Sequence, residues 1–252
     1  MIIELSRVAL TYQSPDGETQ ALRDISFSME EGEFVSIVGP SGCGKSTLLS
    51  VIAGLQAPTA GTVTVDGSPV VGPSPKIGLM PQRDHLFEWR TVISNVMLGL
   101  QVRRMADDTH RAHVRQLLEQ YELADFADKR PSQLSGGMRQ RCALIRTLAT
   151  DPRILLLDEP FSALDYQTRL TVSADIHSII RREHKTALLV THDIAEAISL
   201  SDRILVLSAR PAVIRSVHHL DDLQGLSPLE RRDTPPFRAV FNTVWKELND
   251  DA

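Results

Sequence analysis

The stretch that decides the fold reads Gly39-Pro40-Ser41-Gly42-Cys43-Gly44-Lys45-Ser46-Thr47. It matches the phosphate-loop pattern GxxxxGK[ST], and it lies between an apolar run, Phe34 to Val38, and a helical pattern, Ser46 to Ala53. Glycine lets the backbone curve closely around phosphate groups, so that successive N–H groups and the start of a helix point towards negative charge. We therefore expect this loop to bind a nucleotide, with Lys45 at the β and γ phosphates and Ser46 on Mg²⁺.

A second apolar strand pattern ends in two carboxylates. Ile154 to Leu157 is followed by Asp158 and Glu159. An apolar strand with this ending, downstream of a phosphate loop, is typical of a Walker B motif. Asp158 can bind the Mg²⁺ shell from the carboxyl end of the strand, and Glu159 can polarise an attacking water. The two motifs together predict nucleotide hydrolysis.

Apolar strand patterns and helical patterns alternate through the rest of the core. Leu188 to Val190 is another continuous apolar run, and Tyr166 to Arg182 and Ile194 to Leu200 have helical spacing. Continuous runs indicate strands buried on both faces of a parallel sheet, so we predict an α/β core with crossover helices. Nearer the N-terminus, apolar residues alternate in Ile25 to Met29 and around Val63 to Val65. These segments predict half-buried strands of an antiparallel layer.

The middle of the chain, from about residue 88 to residue 150, shows no strand pattern. Helical spacing is clear in Thr109 to Tyr121, and Met138 to Leu148 is a second candidate helix. We predict an all-helical insertion at about 88–150 within one domain of residues 1–230. Residues 231–252 are predicted to form a C-terminal helical tail, with Phe237 to Leu248 presenting one apolar face.

The composition excludes several classes of protein. The chain has 252 residues, 42% hydrophobic and 23% charged, which is the balance of a globular protein and not of a disordered or fibrous one. A net charge of −5 gives no sign of a nucleic-acid binder. No apolar run approaches the roughly 20 residues of a membrane span, and the N-terminus lacks a signal-peptide pattern, so we expect an intracellular protein. Cys43 and Cys142 lack zinc or disulfide spacing, which fits reduced thiols.

The segment Leu134-Ser135-Gly136-Gly137-Met138-Arg139-Gln140 resembles the LSGGQ signature of ATP-binding cassette (ABC) transporter subunits, with Met138 where the family often has Gln. The resemblance covers nearly the whole chain, from about Ile2 to the strand around Leu207. It implies an α/β fold: a P-loop NTPase core with an N-terminal antiparallel β subdomain and an inserted all-helical subdomain. It also implies that the chain is an ATPase coupled to transmembrane transport, with ATP and Mg²⁺ as cofactors. Further matching positions are Gln82, Asp165 and His192.

The resemblance implies a role for each matching position. Tyr12 is similar to the aromatic residue that stacks on adenine, although a lone Tyr is usually structural. Gln82 resembles the Q-loop glutamine that senses Mg²⁺ and water, and His192 resembles the switch histidine at the γ-phosphate. In the family, two copies close around two ATP, and the signature caps the ATP of the opposite copy. The implied catalytic residues are Lys45, Glu159 and His192, the Mg²⁺ ligands are Ser46, Gln82 and Asp158, and the contacts in trans are Ser135, Gly136, Gly137 and the D-loop residue Asp165.

The stretch Phe87-Glu88-Trp89-Arg90-Thr91-Val92 is similar to the LPWRTV segment of importers for nitrate, sulfonates and taurine, with Glu88 in place of the usual Pro. The similarity implies that Trp89 lies where a membrane subunit docks; the alternative is a core aromatic. It further implies two permease subunits, an indirectly associated extracytoplasmic solute-binding protein, no nucleic-acid partner, and a peripheral location on the cytoplasmic face of the membrane.

Three alternative functions remain open. They are a vitamin or pyrimidine-precursor importer, a soluble ABC ATPase acting on ribosomes or DNA, and an ATP-binding regulator without turnover.

Overall fold

The computed structural model describes residues 1–15 and 17–249, so the end of the predicted tail, residues 250–252, lies outside the described residues. Its strands are β1 (Ile3–Ser14), β2 (Gly17–Met29), β3 (Phe34–Val38), β4 (Ala60–Val65), β5 (Ser68–Pro69), β6 (Ile77–Met80), β7 (Ile154–Asp158), β8 (Thr186–Thr191), β9 (Arg203–Leu207) and β10 (Ile214–His219). Its helices are α1 (Lys45–Ile52), α2 (Val92–Val96), α3 (Leu98–Val102), α4 (Asp108–Gln120), α5 (Gly136–Leu148), α6 (Tyr166–Arg182), α7 (Ile194–Leu200), α8 (Pro228–Arg232) and α9 (Pro235–Asn249).

Four strands form an antiparallel sheet in the order β2-β1-β4-β5. Ile3 of β1 pairs with Met29 of β2 on one side and with Val65 of β4 on the other. Residues that alternate in sequence alternate between the two faces of a sheet, so one face of this layer is apolar. The prediction of an antiparallel layer near the N-terminus is confirmed.

The remaining six strands form a second sheet in the order β10-β9-β3-β8-β7-β6. All neighbours from β9 to β6 are parallel, and β10 is antiparallel to β9 at the edge. The parallel α/β core is therefore confirmed. Two of its strands, β6 and β10, were not predicted from the sequence. Strand β6 has only four residues, one of them Gly78, and β10 consists mostly of polar residues, so neither shows a clear apolar strand pattern.

Strand β7 explains why continuous apolar runs predicted this sheet. Leu155 and Leu157 pack into the helical core on one face, whereas Ile154 and Leu156 pack against the antiparallel layer on the other. All four side chains are buried. Each contributes about 1.5–3 kcal/mol through removal of apolar surface from water. A strand between two such layers has no face for polar side chains.

Helices α2 to α5 occupy the predicted insertion, and no strand lies between residues 88 and 150 of the described chain. Val114, Leu117 and Leu118 of α4 are buried in the core that α5 shares with α6. Helix α5 begins at Gly136 and not at the predicted Met138, because the Ser135 hydroxyl accepts a hydrogen bond from the Met138 N–H and caps the helix. Among the described residues, no helix has both the length and the apolarity that a membrane span requires.

The C-terminal part of the chain packs on a third apolar cluster. Phe237 and Val244 of α9 are buried against Ile198 of α7 and Leu220. The predicted boundary between residues 230 and 231 falls inside α8. The division into residues 1–230 and a separate tail stays a prediction.

Candidate nucleotide site

Four chain segments meet at the carboxyl edge of the parallel sheet. The phosphate loop follows β3, His192 follows β8, Asp158 and Glu159 end β7, and Gln82 follows β6. Because these strands run in the same direction, their carboxyl ends lie at one edge, where α/β sheets commonly bind ligands. The topology thus brings residues from distant parts of the sequence to one place.

The phosphate loop curves tightly around the buried ammonium group of Lys45. Gly44 has a φ of 125°, and a Cβ there would lie 3.1 Å from the Ala21 carbonyl oxygen, so the position favours glycine. Lys45 is 5% exposed. Its Nζ donates hydrogen bonds to the carbonyl oxygens of Gly39 (2.8 Å) and Pro40 (2.9 Å). The loop therefore holds a positive charge at the start of α1, where backbone N–H groups also favour anions.

Ser46 and Asp158 form an oxygen pair beside the loop. The Ser46 hydroxyl donates to Asp158 Oδ1 at 2.9 Å. Burial, with the neighbouring Glu159 carboxylate as a smaller cause, raises the pKa of Asp158 above its ordinary value. Hydroxyl and carboxylate oxygens are the ligands that Mg²⁺ prefers, so these residues fit the metal that accompanies a nucleotide.

Glu159 lies at the centre of the site. Its Oε2 accepts a hydrogen bond from Gln82 Nε2 (3.2 Å) and lies 3.0 Å from His192 Nδ1. Adjacent residues of a strand point to opposite faces, but Glu159 has a left-handed backbone, with a φ of 44°. This turn ends β7 and lets both Asp158 and Glu159 reach the same site. The three side chains predicted from separate motifs are thus in direct contact.

These residues surround a cavity of about 530 Å³. Lining residues predicted from the sequence are Ser41, Gly42, Gly44, Lys45, Ser46, Thr47, Gln82, Glu159 and His192. Gly39, Pro40 and Cys43 of the predicted loop do not line it, and the Cys43 thiol is buried, which raises its pKa. Arg210 also lines the cavity and was not predicted as a site residue.

Tyr12 lies beside the end of the phosphate loop. Its hydroxyl is 3.1 Å from Thr47 Oγ1 and donates to Gln56 Oε1 at 3.1 Å. The residue is 40% exposed. An exposed ring fixed at its hydroxyl end offers a face for stacking, and the stacking role stays a prediction.

The signature segment lines a different cavity. Ser135 and Gly137 border a space of about 360 Å³ with residues of α5 and α6, and that space shares no lining residue with the first cavity. Gly136 and Gly137 form the first turn of α5. Asp165 caps α6 in the same way, accepting from the Thr168 N–H at 3.1 Å, and this hydrogen bonding lowers its pKa. The residues predicted to act in trans are therefore not brought to this chain's own phosphate loop.

One arginine connects the signature helix to the segment after Gln82. Arg139 of α5 donates to Asp84 through two nitrogens (2.7 and 3.2 Å) and to Glu88 Oε1 at 2.9 Å. Burial alone would raise the pKa of Asp84, but the hydrogen bonds from Arg139 and from the Leu86 N–H, with the positive charges of Arg139 and Arg146, together lower it. Glu88, at the position where the importer pattern has Pro, thus takes part in an ion-pair cluster that proline cannot form.

The neighbouring aromatic residues lie on the surface. Trp89 is 71% exposed, so the alternative of a core aromatic is wrong. Its ring stacks on Phe87 at 4.7 Å between centroids, and the Arg90 guanidinium lies 5.8 Å from the Phe87 centroid. Exposed Trp89 thus lies beside half-buried Phe87 and Arg90, which together form an aromatic surface with a positive charge at its border.

A second polar network connects the segment before α6 with the segment that follows β8. Arg169 of α6 donates to the Leu164 carbonyl oxygen (3.1 Å) and to Asp193 Oδ2 (3.2 Å), next to His192. Glu196 is 4% exposed, and its Oε2 accepts from Thr191 Oγ1 at 2.9 Å. Burial raises the pKa of Glu196 to about 8. This region therefore contains a carboxyl group that holds its proton near neutral pH.

A phosphate loop, two strand-end carboxylates and a helical insertion on one parallel sheet define an ATPase of the P-loop class. The family model described as ABC transporter matches residues 22–162, more than half of the chain. The chain belongs to the ABC transporter family and is an ATPase coupled to transport.

Related proteins cover almost the full length of the chain. It is 45% identical to an uncharacterized ABC transporter ATP-binding protein, YtlC, of Bacillus subtilis over 98% of this chain and 95% of the relative. It is 44% identical to the taurine import ATP-binding protein TauB of Burkholderia thailandensis over 96% of this chain and 95% of the relative. The dimeric ATP-binding cassette MJ0796, solved in a post-hydrolysis state with ADP and Pi, has a TM-score of 0.75 and 33% identity, covering 87% of this chain and 99% of that one.

Proposed function

We propose that this chain hydrolyses Mg²⁺-bound ATP at the carboxyl edge of the parallel sheet. Lys45 and the loop N–H groups bind the phosphates, and Glu159 accepts a proton from the attacking water. His192 and Gln82 orient the Glu159 carboxylate, which both contact. Ser46, Asp158 and Gln82 hold Mg²⁺, which supplies charge stabilisation when bound.

We further propose that two copies close around two ATP. Ser135, Gly136 and Gly137 of one copy then cap the nucleotide of the other, with Asp165 at the interface. The separation of the two cavities supports this arrangement, because the N-terminus of α5 favours anions but has no phosphate loop of its own chain beside it. The dimeric state of the MJ0796 cassette supports it as well.

The membrane partners follow from the same proposal. Phe87, Trp89 and Arg90 form the surface on which two permease subunits dock, at the cytoplasmic face of the membrane. A surface with an exposed tryptophan and a neighbouring arginine suits a protein interface, since Trp and Arg are enriched at such contacts. An extracytoplasmic solute-binding protein delivers the solute to the permease and does not touch this chain.

The proposed solute is taurine, another sulfonate, nitrate or a related small organic solute, with taurine and the other sulfonates favoured. The observation that carries this proposal is the 44% identity to a taurine import ATP-binding protein along nearly the whole of both chains. The solute never contacts this subunit, so the identity of the permease decides the specificity.

Uptake measurements test this proposal. A strain lacking this subunit should lose uptake of labelled taurine or another sulfonate, and the wild-type gene should restore it, whereas a gene with Glu159→Gln should not. Nitrate, a vitamin precursor and a pyrimidine precursor serve as parallel solutes. Loss of uptake for only a vitamin or pyrimidine precursor would contradict the proposed solute. Copurification with ribosomes or DNA in place of a membrane subunit would contradict the transport role.

A further inference from the structure

The segment between β9 and β10 brings an arginine to the phosphate loop. Strand β9 runs parallel to β3 with Val206 beside Val38, so the residues after Leu207 lie level with the start of the loop. A Cβ built on Gly39 would lie 3.1 Å from the Leu207 Cβ, which indicates close packing between the two chain segments. The chain that leaves β9 therefore passes directly beside the loop.

Backbone hydrogen bonds hold this segment in place. The Ser208 N–H donates to the Val213 carbonyl oxygen at 3.0 Å, which closes the segment on itself. The Ala212 N–H donates to the Ala21 carbonyl oxygen at 2.9 Å, which attaches it to β2 of the antiparallel sheet. Arg210 thus extends from a backbone that is fixed to both sheets.

The Arg210 side chain reaches the loop itself. Its Nη2 donates to the Gly42 carbonyl oxygen at 2.6 Å, and the residue lines the same cavity as Lys45 and Glu159. A guanidinium has five N–H donors in a planar fork. Within the described residues Gly42 is its one hydrogen-bond acceptor, and the residue is exposed. Donors of Arg210 are therefore available to a ligand in the cavity.

The charges around the cavity indicate which ligand groups these N–H donors bind. Lys45 is buried and bonded to two loop carbonyl oxygens, so Arg210 is a positive charge on the open side of the same loop. Arginine binds phosphate oxygens through parallel N–H groups. We propose that Arg210 is a nucleotide-contacting residue whose guanidinium binds the phosphates of a nucleoside di- or triphosphate while it stays bonded to Gly42. This inference rests on the proposed nucleotide site and extends it to a residue outside the loop.

Two substitutions separate the charge of Arg210 from its hydrogen bond. In Arg210→Gln the positive charge is lost and the shorter side chain keeps only a neutral amide N–H donor, whereas in Arg210→Lys the charge remains. Calorimetric titration of each purified variant with MgADP and with the β,γ-imido analogue of MgATP measures its nucleotide affinity. We expect about tenfold weaker binding for Arg210→Gln, and binding within about threefold of wild type for Arg210→Lys.

Salt concentration provides a second readout. Because Arg210 is exposed, its attraction for phosphate is screened, so the ratio of wild-type to Arg210→Gln affinity should shrink as salt rises to about 0.5 M. Arg238→Gln on α9 removes the same charge from an exposed position outside the cavity and should bind nucleotide as wild type does. Thermal melting of each variant checks that it is folded.

Two results would overturn the inference. Wild-type affinity in Arg210→Gln would mean that the guanidinium does not contact the nucleotide. Equal, salt-independent losses in both Arg210 variants would mean that the residue only shapes the loop through Gly42. Absence of nucleotide binding in the wild-type chain is a different outcome, because it would contradict the proposed nucleotide site itself.

Discussion

The phosphate-loop region and the signature region both contain a glycine-rich helix N-terminus, but they differ in the side chains that surround it. Both begin a helix with glycines whose N–H groups favour anions, α1 after Gly44 and α5 at Gly136. Around the first, the fold gathers a cation, carboxylates, an amide and an imidazole from four strand ends. Around the second it gathers only the surfaces of α5 and α6. In the proposed dimer, each chain therefore carries a chemical half-site at the phosphate loop and a capping half-site at the signature segment, and the two face different cavities.

The largest expected effect comes from removing the proposed base. Glu159→Gln should lower steady-state ATP hydrolysis by about a thousandfold, because an amide cannot accept the proton of the attacking water. ATP binding should persist, and the variant should elute as a dimer with ATP in size-exclusion chromatography. Glu122→Gln changes a side chain that is 81% exposed and should hydrolyse ATP normally. A wild-type rate in Glu159→Gln would exclude it as the base.

Mixing two inactive variants tests whether the half-sites act in trans. Ser135→Arg should block the capping half-site, and Lys45→Ala should disable the phosphate loop, each lowering hydrolysis by about a hundredfold. If random mixing gives half mixed dimers, each with one intact composite site, activity should return to about a quarter of wild type. The ATPase rate as a function of mixing ratio measures this. A mixture no more active than its components would argue against the composite site.

The ion pair between the two regions should have a smaller effect, on stability. Asp84→Asn weakens the two-nitrogen contact with Arg139, and we expect a loss of about 1–2 kcal/mol in the free energy of unfolding, measured in urea. Glu88→Gln weakens only the more exposed contact of the same arginine and should cost less than about 0.5 kcal/mol. Equal losses for the two variants would show that Asp84 has no special role in joining the signature helix to the Gln82 segment.

The most gradual effect is the dependence of stability on pH. Burial raises the pKa of Glu196 to about 8 in the folded chain, against an ordinary value of 4.5. The smaller contributions are the Thr191 hydrogen bond, Arg169 and Arg232, which lower the pKa, and Asp193, which raises it. The folded chain therefore holds a proton that the unfolded chain releases. The stability from this group is complete below pH 4.5 and is lost as the pH rises through about 8.

Between pH 6 and 8, wild type should therefore lose about 1 kcal/mol per pH unit relative to Glu196→Gln, whose amide does not ionise. Urea unfolding at several pH values measures the difference. Parallel curves for wild type and variant would indicate that Glu196 is ionised in the folded chain throughout this range.

The sequence predicts those parts of the site that short local patterns encode. The glycine loop, the Asp158-Glu159 strand end and the Ser135 cap each lie within a few consecutive residues, and their periodicity also identifies the flanking strands and helices. The contact of Arg210 with Gly42 spans 168 positions and depends on β9 lying next to β3. Spacing alone contains no information about that adjacency, so the arginine could not be assigned to the site.

The importer-like segment shows the same limit at shorter range. The sequence identifies Glu88 as a departure from the usual proline, but its partner Arg139 is 51 residues away. The exposure of Trp89 likewise depends on how α2 and α5 pack, which an isolated tryptophan does not reveal. Local patterns thus predict which elements form, whereas contacts between elements require the assembled sheet.

At Glu159, the left-handed backbone places selection for stability in conflict with selection for ATP hydrolysis. A residue with a side chain costs about 1–2 kcal/mol in this conformation, whereas glycine adopts it freely. Glutamate and glycine codons differ by a single base. With the proposed role of Glu159 as the base, a duplicated gene that no longer had to hydrolyse ATP would lose this strain through one point mutation at this codon, and a continuing need for turnover opposes that drift.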